Sequence, residues 1–408
     1  YLLFPGDVLA VHTEWFVVFF TSAAAWVLFG KYPQTPGANR TVTASALVGL
    51  AALSKQSALL EVAPLLIFWL VVGLSQSSQR RSAMLRIGLG SIVFTGVIGG
   101  CFALYAIKGA GSDFLFYTWT YNLQYYGNEY TFLEKLISGS VLIEHLADHY
   151  PLLLLTATAG FLWLAVRVVQ FKPSPDTATR RGPEVYLVSW LVFSTGAAMA
   201  GGRGYDHYFF PVLAPLAWLA MVIPGRLWAW LSGQKSPPLV ARLAIYAFAA
   251  VLVGLIVRKP LAARDLPDYG TDPALRVSEF IQQQSGPEDR IFVWGFNPDI
   301  YYYTQRLPAS RFLYCTFQTG LIPWTNIADG IDTSYGIVPG SMATLIADLE
   351  KNQPRFIIDS SAGVHRHFDK YPLDKFPVLR DWIESRYVEL ESQCWRRGSC
   401  QHRGHRRA

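Results

Sequence analysis

The sequence predicts a polytopic α-helical membrane domain of about eight spans, followed by a small extracytoplasmic α/β domain. The 408 residues are 51% hydrophobic and only 16% charged, which is more apolar than an ordinary soluble protein of this length. Runs long enough to cross a roughly 30 Å hydrocarbon core as helix occur before residue 258 and not after it. Beyond that point, strand-like apolar runs alternate with amphipathic helical segments.

These patterns divide the chain into three parts. We assign 1–257 to the membrane domain, 258–392 to the α/β domain, and 393–408 to a basic tail that we expect to be disordered. The first residue is Tyr1 and no signal peptide precedes the first apolar run. We therefore expect an N-terminal part of the membrane domain to be missing.

The predicted crossings are the apolar runs of the first 257 residues. They are 15–30, 44–53, 57–74, 87–107, 151–166, 185–200, 208–224 and 243–257.

Basic residues set the predicted orientation. Twelve lie in the loops that start at residues 31, 75, 167 and 225, and only four lie in the intervening loops. Short cytoplasmic loops hold the excess of Lys and Arg. The sequence thus predicts a multi-pass protein of the cytoplasmic membrane with the N-terminus, the intervening loops and the C-terminal domain outside.

The orientation requires residues 44–74 to cross the membrane twice. Lys55 and Gln56 then lie at the tip of a helical hairpin on the outer side, where the ammonium group can reach water, Glu61 or a lipid phosphate. The alternative is one long tilted span with a buried, paired lysine.

Two outer loops carry unusual residues. The loop 108–149 has seven aromatic side chains between Phe114 and Tyr126, a composition typical of an interfacial helix, which could also form the wall of a lipid groove. The segment GGRGYDH places Arg203 and His207 at the mouth of a span, and both are suited to bind phosphate. The alternative there is an ion pair of Arg203 with Asp206.

Two carboxylates precede the first span. Glu14 abuts the helix start and Asp7 lies seven residues before it in the same segment. Either could act as a base, although complementarity to the helix dipole would also account for Glu14.

The C-terminal domain has the pattern of a small, mainly parallel α/β layer. Strands are predicted at 290–295, 310–314, 355–361 and from Tyr387, with helices between them. No GxGxxG motif or P-loop is present, so we assign no nucleotide site. A polar cluster follows the third strand, where α/β proteins often bind ligands: Asp359, Ser360, Ser361, His365 and His367.

Three segments resemble the GT-C class of multi-spanning glycosyltransferases, in particular the protein mannosyltransferase and aminoarabinose transferase type (the glycosyltransferase 39 and 83 group). They are LVGLAALSKQSALLEVAPLLIF (47–68), GGRGYDHYFFPVLAPLAWLA (201–220) and DRIFVWGFNPDIYYYTQRLPASRFLY (289–314). The resemblance implies transfer of a sugar from a polyprenyl-phosphate donor to a hydroxyl of a protein, lipid or glycan acceptor at the outer membrane face.

The resemblance also implies roles for individual residues. Glu14 resembles a second acidic position of the class, with Asp7 as the alternative base; the principal catalytic carboxylate of the class lies in an outer loop without a counterpart here. A chain that begins at Tyr1 is therefore expected to be inactive. Lys55, Arg203 and His207 are expected to bind the donor phosphate. The substrate groove is expected to include Gln56, Tyr121, Asn122, Tyr125 and Tyr208.

Cofactors and other functions stay open at this level. Metal dependence differs across the class and no ligand set is evident, so no cofactor is assigned and a divalent metal remains an alternative. The net charge of +6 is spread over loops and predicts membrane lipid rather than nucleic acid as a partner. A secondary transporter and a non-enzymatic membrane anchor of an extracytoplasmic binding domain are the competing interpretations.

Overall fold

The computed structural model divides the chain into two compact units, Tyr1–Asp265 and Leu266–Ala408. It describes residues 12–31, 34–75, 77–123, 131–149, 151–169, 175–202, 204–233, 273–320, 330–361, 370–391 and 394–397, with isolated positions between 239 and 250.

The first unit is helical. Its α-helices are α1 (Thr13–Phe29), α2 (Ala38–Ser54), α3 (Val62–Ser75), α4 (Arg80–Ile107), α5 (Gly111–Leu115), α6 (Phe132–Ile137), α7 (Ser140–His149), α8 (Pro151–Val169), α9 (Pro175–Met199), α10 (Phe210–Ala220) and α11 (Val222–Ser232). Short 3-10 helices precede α3 and α10, at Gln56–Glu61 and Asp206–Phe209, and a π-helix covers Phe116–Thr120.

Fewer helices could cross a membrane than the sequence predicted. Within the described residues, three are long and apolar enough, Gln56–Ser75, Ser77–Ile107 and His207–Ser232, or four if a pair bent by 119° forms one span. The prediction of about eight spans is therefore wrong. Helices α1 and α2 have only 17 residues each, about 26 Å of helix. Helix α9 begins with polar turns, and the predicted span at 243–257 lies almost entirely outside the described residues.

The outer surface of the longest candidate span is hydrophobic. Only 11% of the most apolar window of Ser77–Ile107 is buried within the protein, and Ile92 and Ile107 are 70% and 83% exposed. Exposed apolar surface of this extent is unfavourable in water and suits contact with lipid. The structure thus has the apolar helices expected of a helical membrane protein.

The chain reverses direction at Lys55. Helix α2 ends at Ser54, and Lys55 is extended, with φ −155° and ψ 130°. Gly90 packs against Ser45 and Gly49 against Val97, so α2 and α4 run parallel. Gly73 packs against Ala83, and Arg86 lies over the Trp69 ring, so α3 runs antiparallel to both. The structure therefore contains the helical hairpin and not the single tilted span.

The second unit is built around a five-stranded mixed sheet. The strands are β1 (Arg290–Trp294), β2 (Leu307–Pro308), β3 (Phe356–Asp359), β4 (Tyr387–Glu391) and β5 (Cys394–Arg397), in the order β2-β1-β3-β5-β4. The pairs β1/β2 and β1/β3 are parallel, whereas β3/β5 and β4/β5 are antiparallel. Its helices are α12 (Pro273–Gln284), α13 (Asp299–Thr304), α14 (Thr316–Thr319), α15 (Ser341–Asn352) and α16 (Pro377–Glu384).

Three predictions for this unit are corrected. The segment 310–314 is not a strand. The edge strand β2 lies before it and consists of only two residues, Leu307 and Pro308. The sheet is not mainly parallel. The first residues of the predicted disordered tail form β5, where Ile357 pairs with Trp395. Antiparallel pairing on both sides satisfies the backbone hydrogen bonds of β5, which compensates for its basic side chains.

Candidate functional site

A buried ion pair joins the start of α1 to the end of α2. Glu14 is only 3% exposed, and its carboxylate accepts a hydrogen bond from the ammonium group of Lys55. The second carboxylate oxygen accepts a hydrogen bond from the Thr13 hydroxyl at 3.0 Å. The two helices run antiparallel, so residues 41 positions apart meet at one end of the bundle. The pair thus places a carboxylate and an ammonium group in surroundings of low dielectric constant, where electrostatic interactions are stronger than in water.

Aromatic rings surround this pair. The Lys55 Nζ atom lies 3.7 Å from the centroid of the Tyr208 ring, a favourable cation–π geometry. His207 packs edge-on against Tyr208, with 4.8 Å between centroids, and stacks on His12 at 4.3 Å. The hairpin tip and the 3-10 helix before α10 therefore meet at the same end of the helical unit. Lys55 and His207, which were both predicted to bind the donor phosphate, each contact the Tyr208 ring.

A cavity of about 320 Å³ opens beside Lys55. Its wall is mostly apolar, with two ammonium groups and a few amide and hydroxyl groups. The lining residues are Lys55, Gln56, Ser57, Thr118, Trp119, Asn122, Leu123, Lys135, Ala197, Ala198, Ala200, Gly201 and Tyr208. An apolar pocket with a small number of fixed polar groups is the usual form of a ligand site.

Residues of the aromatic loop that was predicted to lie outside form one wall of this cavity. The π-helix Phe116–Thr120 widens the backbone, and its Thr118 carbonyl accepts hydrogen bonds from Gln56 Nε2 at 2.9 Å and Asn122 Nδ2 at 3.0 Å. Single π-helical turns are frequent at functional sites because they leave the regular helical bonding pattern. Thr118 and Trp119 line the cavity, which agrees with the prediction that this loop could form the wall of a groove.

The structure brings together part of the predicted site. Lys55, Gln56, Asn122 and Tyr208 line the cavity. Glu14 lies behind Lys55, and His207 behind Tyr208. Tyr121 instead packs near Phe116, with 6.2 Å between ring centroids, and is not on the cavity wall. Asp7, Arg203 and Tyr125 lie outside the described residues, as does the side chain of Asp206.

Glu61 is not the partner of Lys55. Its side chain is 2% exposed and accepts a hydrogen bond from the Ser194 hydroxyl at 2.7 Å. The 3-10 helix between Gln56 and Glu61 turns the two side chains apart, and α1 supplies the acid instead.

Lys135, Trp119 and Thr118 were missed by sequence reasoning. Lys135 lies in α6, whose start is fixed by a capping box of Thr131 and Glu134. It is one of only four basic residues in the predicted outer loops. Because basic residues are rare in those loops, each of them could have been identified as a candidate site residue from the sequence.

No metal centre is evident in the part of the chain that the structure describes. No group of three or more His, Cys, Asp or Glu side chains is placed there to hold an ion. The cavity itself offers ammonium, amide and hydroxyl groups, which suit an anion better than a cation.

The polar cluster of the α/β unit serves the local fold. Asp359 accepts a hydrogen bond from the Ser361 backbone amide at 2.9 Å, and the Ser360 hydroxyl donates to the Trp294 carbonyl at 2.8 Å. Burial raises the pKa of Asp359. His365 and His367 lie outside the described residues. The described members of the cluster thus hold the loop after β3 rather than an open site.

Comparison with known proteins yields no relative. No family model, no curated protein and no solved structure matches this chain. A function is therefore proposed from the cavity and its charges.

Proposed function

We propose that this chain carries the donor-binding residues and a base of a membrane glycosyltransferase, which moves a sugar from a polyprenyl-phosphate donor to a hydroxyl acceptor at the outer face of the cytoplasmic membrane. The observation that carries the proposal is the buried Glu14–Lys55 pair at the edge of a mostly apolar cavity with a second ammonium group, Lys135. A carboxylate, cations and an apolar groove are the three elements that this reaction needs.

The donor fits the cavity by its chemistry. A polyprenyl chain requires apolar walls such as Leu123 and Ala197. The phosphate requires positive charge, for which Lys55 and Lys135 face the same space. Arg203 remains a proposed ligand of the same phosphate. Aromatic faces at Trp119 and Tyr208 suit the apolar faces of a sugar ring.

The reaction is assigned to the acid and the cations as follows. The acceptor oxygen bonds to the anomeric carbon, the bond from that carbon to the phosphate oxygen breaks, and the electron pair stays on the phosphate. Glu14 takes the acceptor proton when Lys55 moves from the carboxylate towards the phosphate. Positive charge at Lys55 and Lys135 stabilises the departing phosphate.

The anchor alternative fits the structure less well. A non-enzymatic anchor predicts a tightly packed helical unit with the binding pocket in the α/β unit. The 320 Å³ cavity instead lies among the helices.

Transfer of labelled sugar from polyprenyl-phosphate donors by the full-length protein in membranes tests the proposal. We expect Glu14→Gln to lower transfer by about 10²-fold or more, and Lys135→Met to lower it with a higher KM for the donor. Lys108→Met is the matched control, because Lys108 is an exposed lysine of the same predicted side that does not line the cavity. Undiminished transfer by both test variants, or no transfer from any donor by the parent protein, would overturn the proposal.

A further inference from the structure

A second cavity lies at the opposite end of the helical unit. It has a volume of about 240 Å³ and reaches Phe29, the last residue of α1, whereas Glu14 lies in the first turn of the same helix. Its lining is mainly apolar, with one acid and one arginine: Ala25, Phe29, Leu164, Pro183, Glu184, Tyr186, Leu187, Trp190, Trp218, Val222, Gly225 and Arg226. No step of the proposed reaction uses it.

Arg226 of the lining shares one acid and one aromatic ring with a second arginine, Arg167, which lies beside the lining residue Glu184. Glu184 accepts hydrogen bonds from Arg226 Nη2 at 3.0 Å and from Arg167 Nε at 3.2 Å. The guanidinium carbons of Arg226 and Arg167 lie 3.7 Å and 4.6 Å from the Trp163 ring centroid. Two guanidinium groups therefore share the Glu184 carboxylate. Their orientation is fixed by the same two contacts, which lowers the entropic cost of binding an anion.

We infer that this cavity binds one anionic phospholipid, with its phosphodiester at the Arg167–Arg226 cluster and part of an acyl chain between α1, α8, α9 and α11. Arginine forks match phosphate oxygens. The apolar wall lets an acyl chain make the same van der Waals contacts that it would make with the acyl chains of neighbouring lipids. The charge distribution predicts that this end faces the cytoplasm, where the leaflet carries anionic lipids and basic pockets between helices bind their head groups.

Other ligands fit the cavity less completely. A soluble anion would use the arginines and leave the apolar wall unfilled. A zwitterionic phospholipid would bring the cation of its own head group close to two guanidinium groups. An anionic phospholipid satisfies both features at once, and this assignment is independent of the proposed sugar transfer.

Lipid retention by the purified full-length protein, measured by native mass spectrometry, tests the inference. Dioleoyl phosphatidylglycerol and dioleoyl phosphatidylcholine are offered separately, so that only the head group differs. We expect retention of phosphatidylglycerol and roughly tenfold weaker binding of it by the double variant Arg167→Gln/Arg226→Gln. Gly225→Leu is expected to weaken it as well, because Gly225 lines the cavity and a side chain there meets open space.

Two matched controls separate the site from general effects. Arg86 also lies over a tryptophan, 4.5 Å from the Trp69 ring centroid, but does not line the cavity. Gly196 is likewise open to an added side chain and lies outside the cavity. Arg86→Gln and Gly196→Leu should therefore retain phosphatidylglycerol like the parent protein. The inference is overturned by equal retention of both lipids, by unchanged binding in both Gly225→Leu and the double variant, or by displacement of the lipid with inorganic phosphate.

Discussion

Charged pairs have different surroundings in the two units. In the helical unit, the Glu14–Lys55 pair and the Arg167–Glu184–Arg226 cluster each border a cavity. In the α/β unit, Arg311 binds Asp348 through two side-chain hydrogen bonds of 2.9 Å, while the Arg311 backbone amide donates to the same carboxylate at 3.0 Å. There the charges hold the segment after β2 to α15. The same chemistry thus borders a cavity in one unit and fixes a loop in the other.

The helical unit combines two kinds of packing. Some of its helices approach closely at small residues, as at Gly90 against Ser45. Large aromatic side chains fill the rest of its core, including Trp69 and Trp190, as Phe292 and Trp294 do in the second unit. Close helix contact at small residues is typical of membrane proteins.

The largest expected effect comes from separating the buried ion pair. Lys55→Met leaves the Glu14 carboxylate buried without its cation, and we expect the free energy of unfolding to fall by about 3 kcal/mol. The double variant Glu14→Gln/Lys55→Met should recover most of that loss but no sugar transfer. Thermal unfolding in detergent and the transfer assay measure the two quantities. If the double variant is as unstable as Lys55→Met, then Lys55 does not stabilise the fold through its ion pair with Glu14.

An intermediate effect is expected at the contact of α8 with α10. A Cβ atom added to Gly160 would lie 2.1 Å from the Leu219 carbonyl oxygen, so Gly160→Val must push the helices apart. We expect a loss of about 1–3 kcal/mol in the free energy of unfolding. Gly88→Val in α4 is the control, because that site is open. Equal melting temperatures of the two variants would contradict close packing in the helical unit.

The smallest effect should depend on pH in the α/β unit. Hydrogen bonds from Arg311 hold the pKa of Asp348 below its usual value. The ion pair therefore stabilises the fold above the unfolded pKa, and this contribution is lost as the pH falls through the folded pKa. Arg311→Ala should cost about 1 kcal/mol near neutral pH, and this cost should shrink progressively as the pH is lowered below about 4 through the folded pKa of Asp348. Hydrogen exchange of α15 in the full chain measures the difference.

Arg380→Ala provides the comparison for that experiment. Arg380 pairs with Asp381, which is 66% exposed, so its loss should change stability by less than about 0.5 kcal/mol. If Arg311→Ala lowers the stability by the same amount near neutral pH and in acid, then protonation of the Asp348 carboxylate does not cause the pH dependence.

Local patterns predicted many elements but not all of the sheet. Strands β1, β3 and β4 and helix α15 follow from runs and periodicities that are visible in their own residues. Strand β5 was missed because its basic side chains look like a tail, and it is stable only between β3 and β4. The long apolar runs indicated membrane helices, but the number of spans was overestimated because short and polar-ended helices were counted as full crossings.

The sequence alone determined that the chain has an apolar helical part and an α/β part, because hydropathy and the distribution of charge along the chain are local properties. It left a break at Lys55 and a single tilted span as alternatives, between which the structure decided. The tertiary structure decided that Glu14 rather than Glu61 meets Lys55, that Lys135 and Trp119 share a cavity with it, and that a second cavity lies beside Arg226. These outcomes depend on how each helix is rotated against its neighbours. That rotation is set by the fit of many side chains at once, which no single segment of the sequence contains.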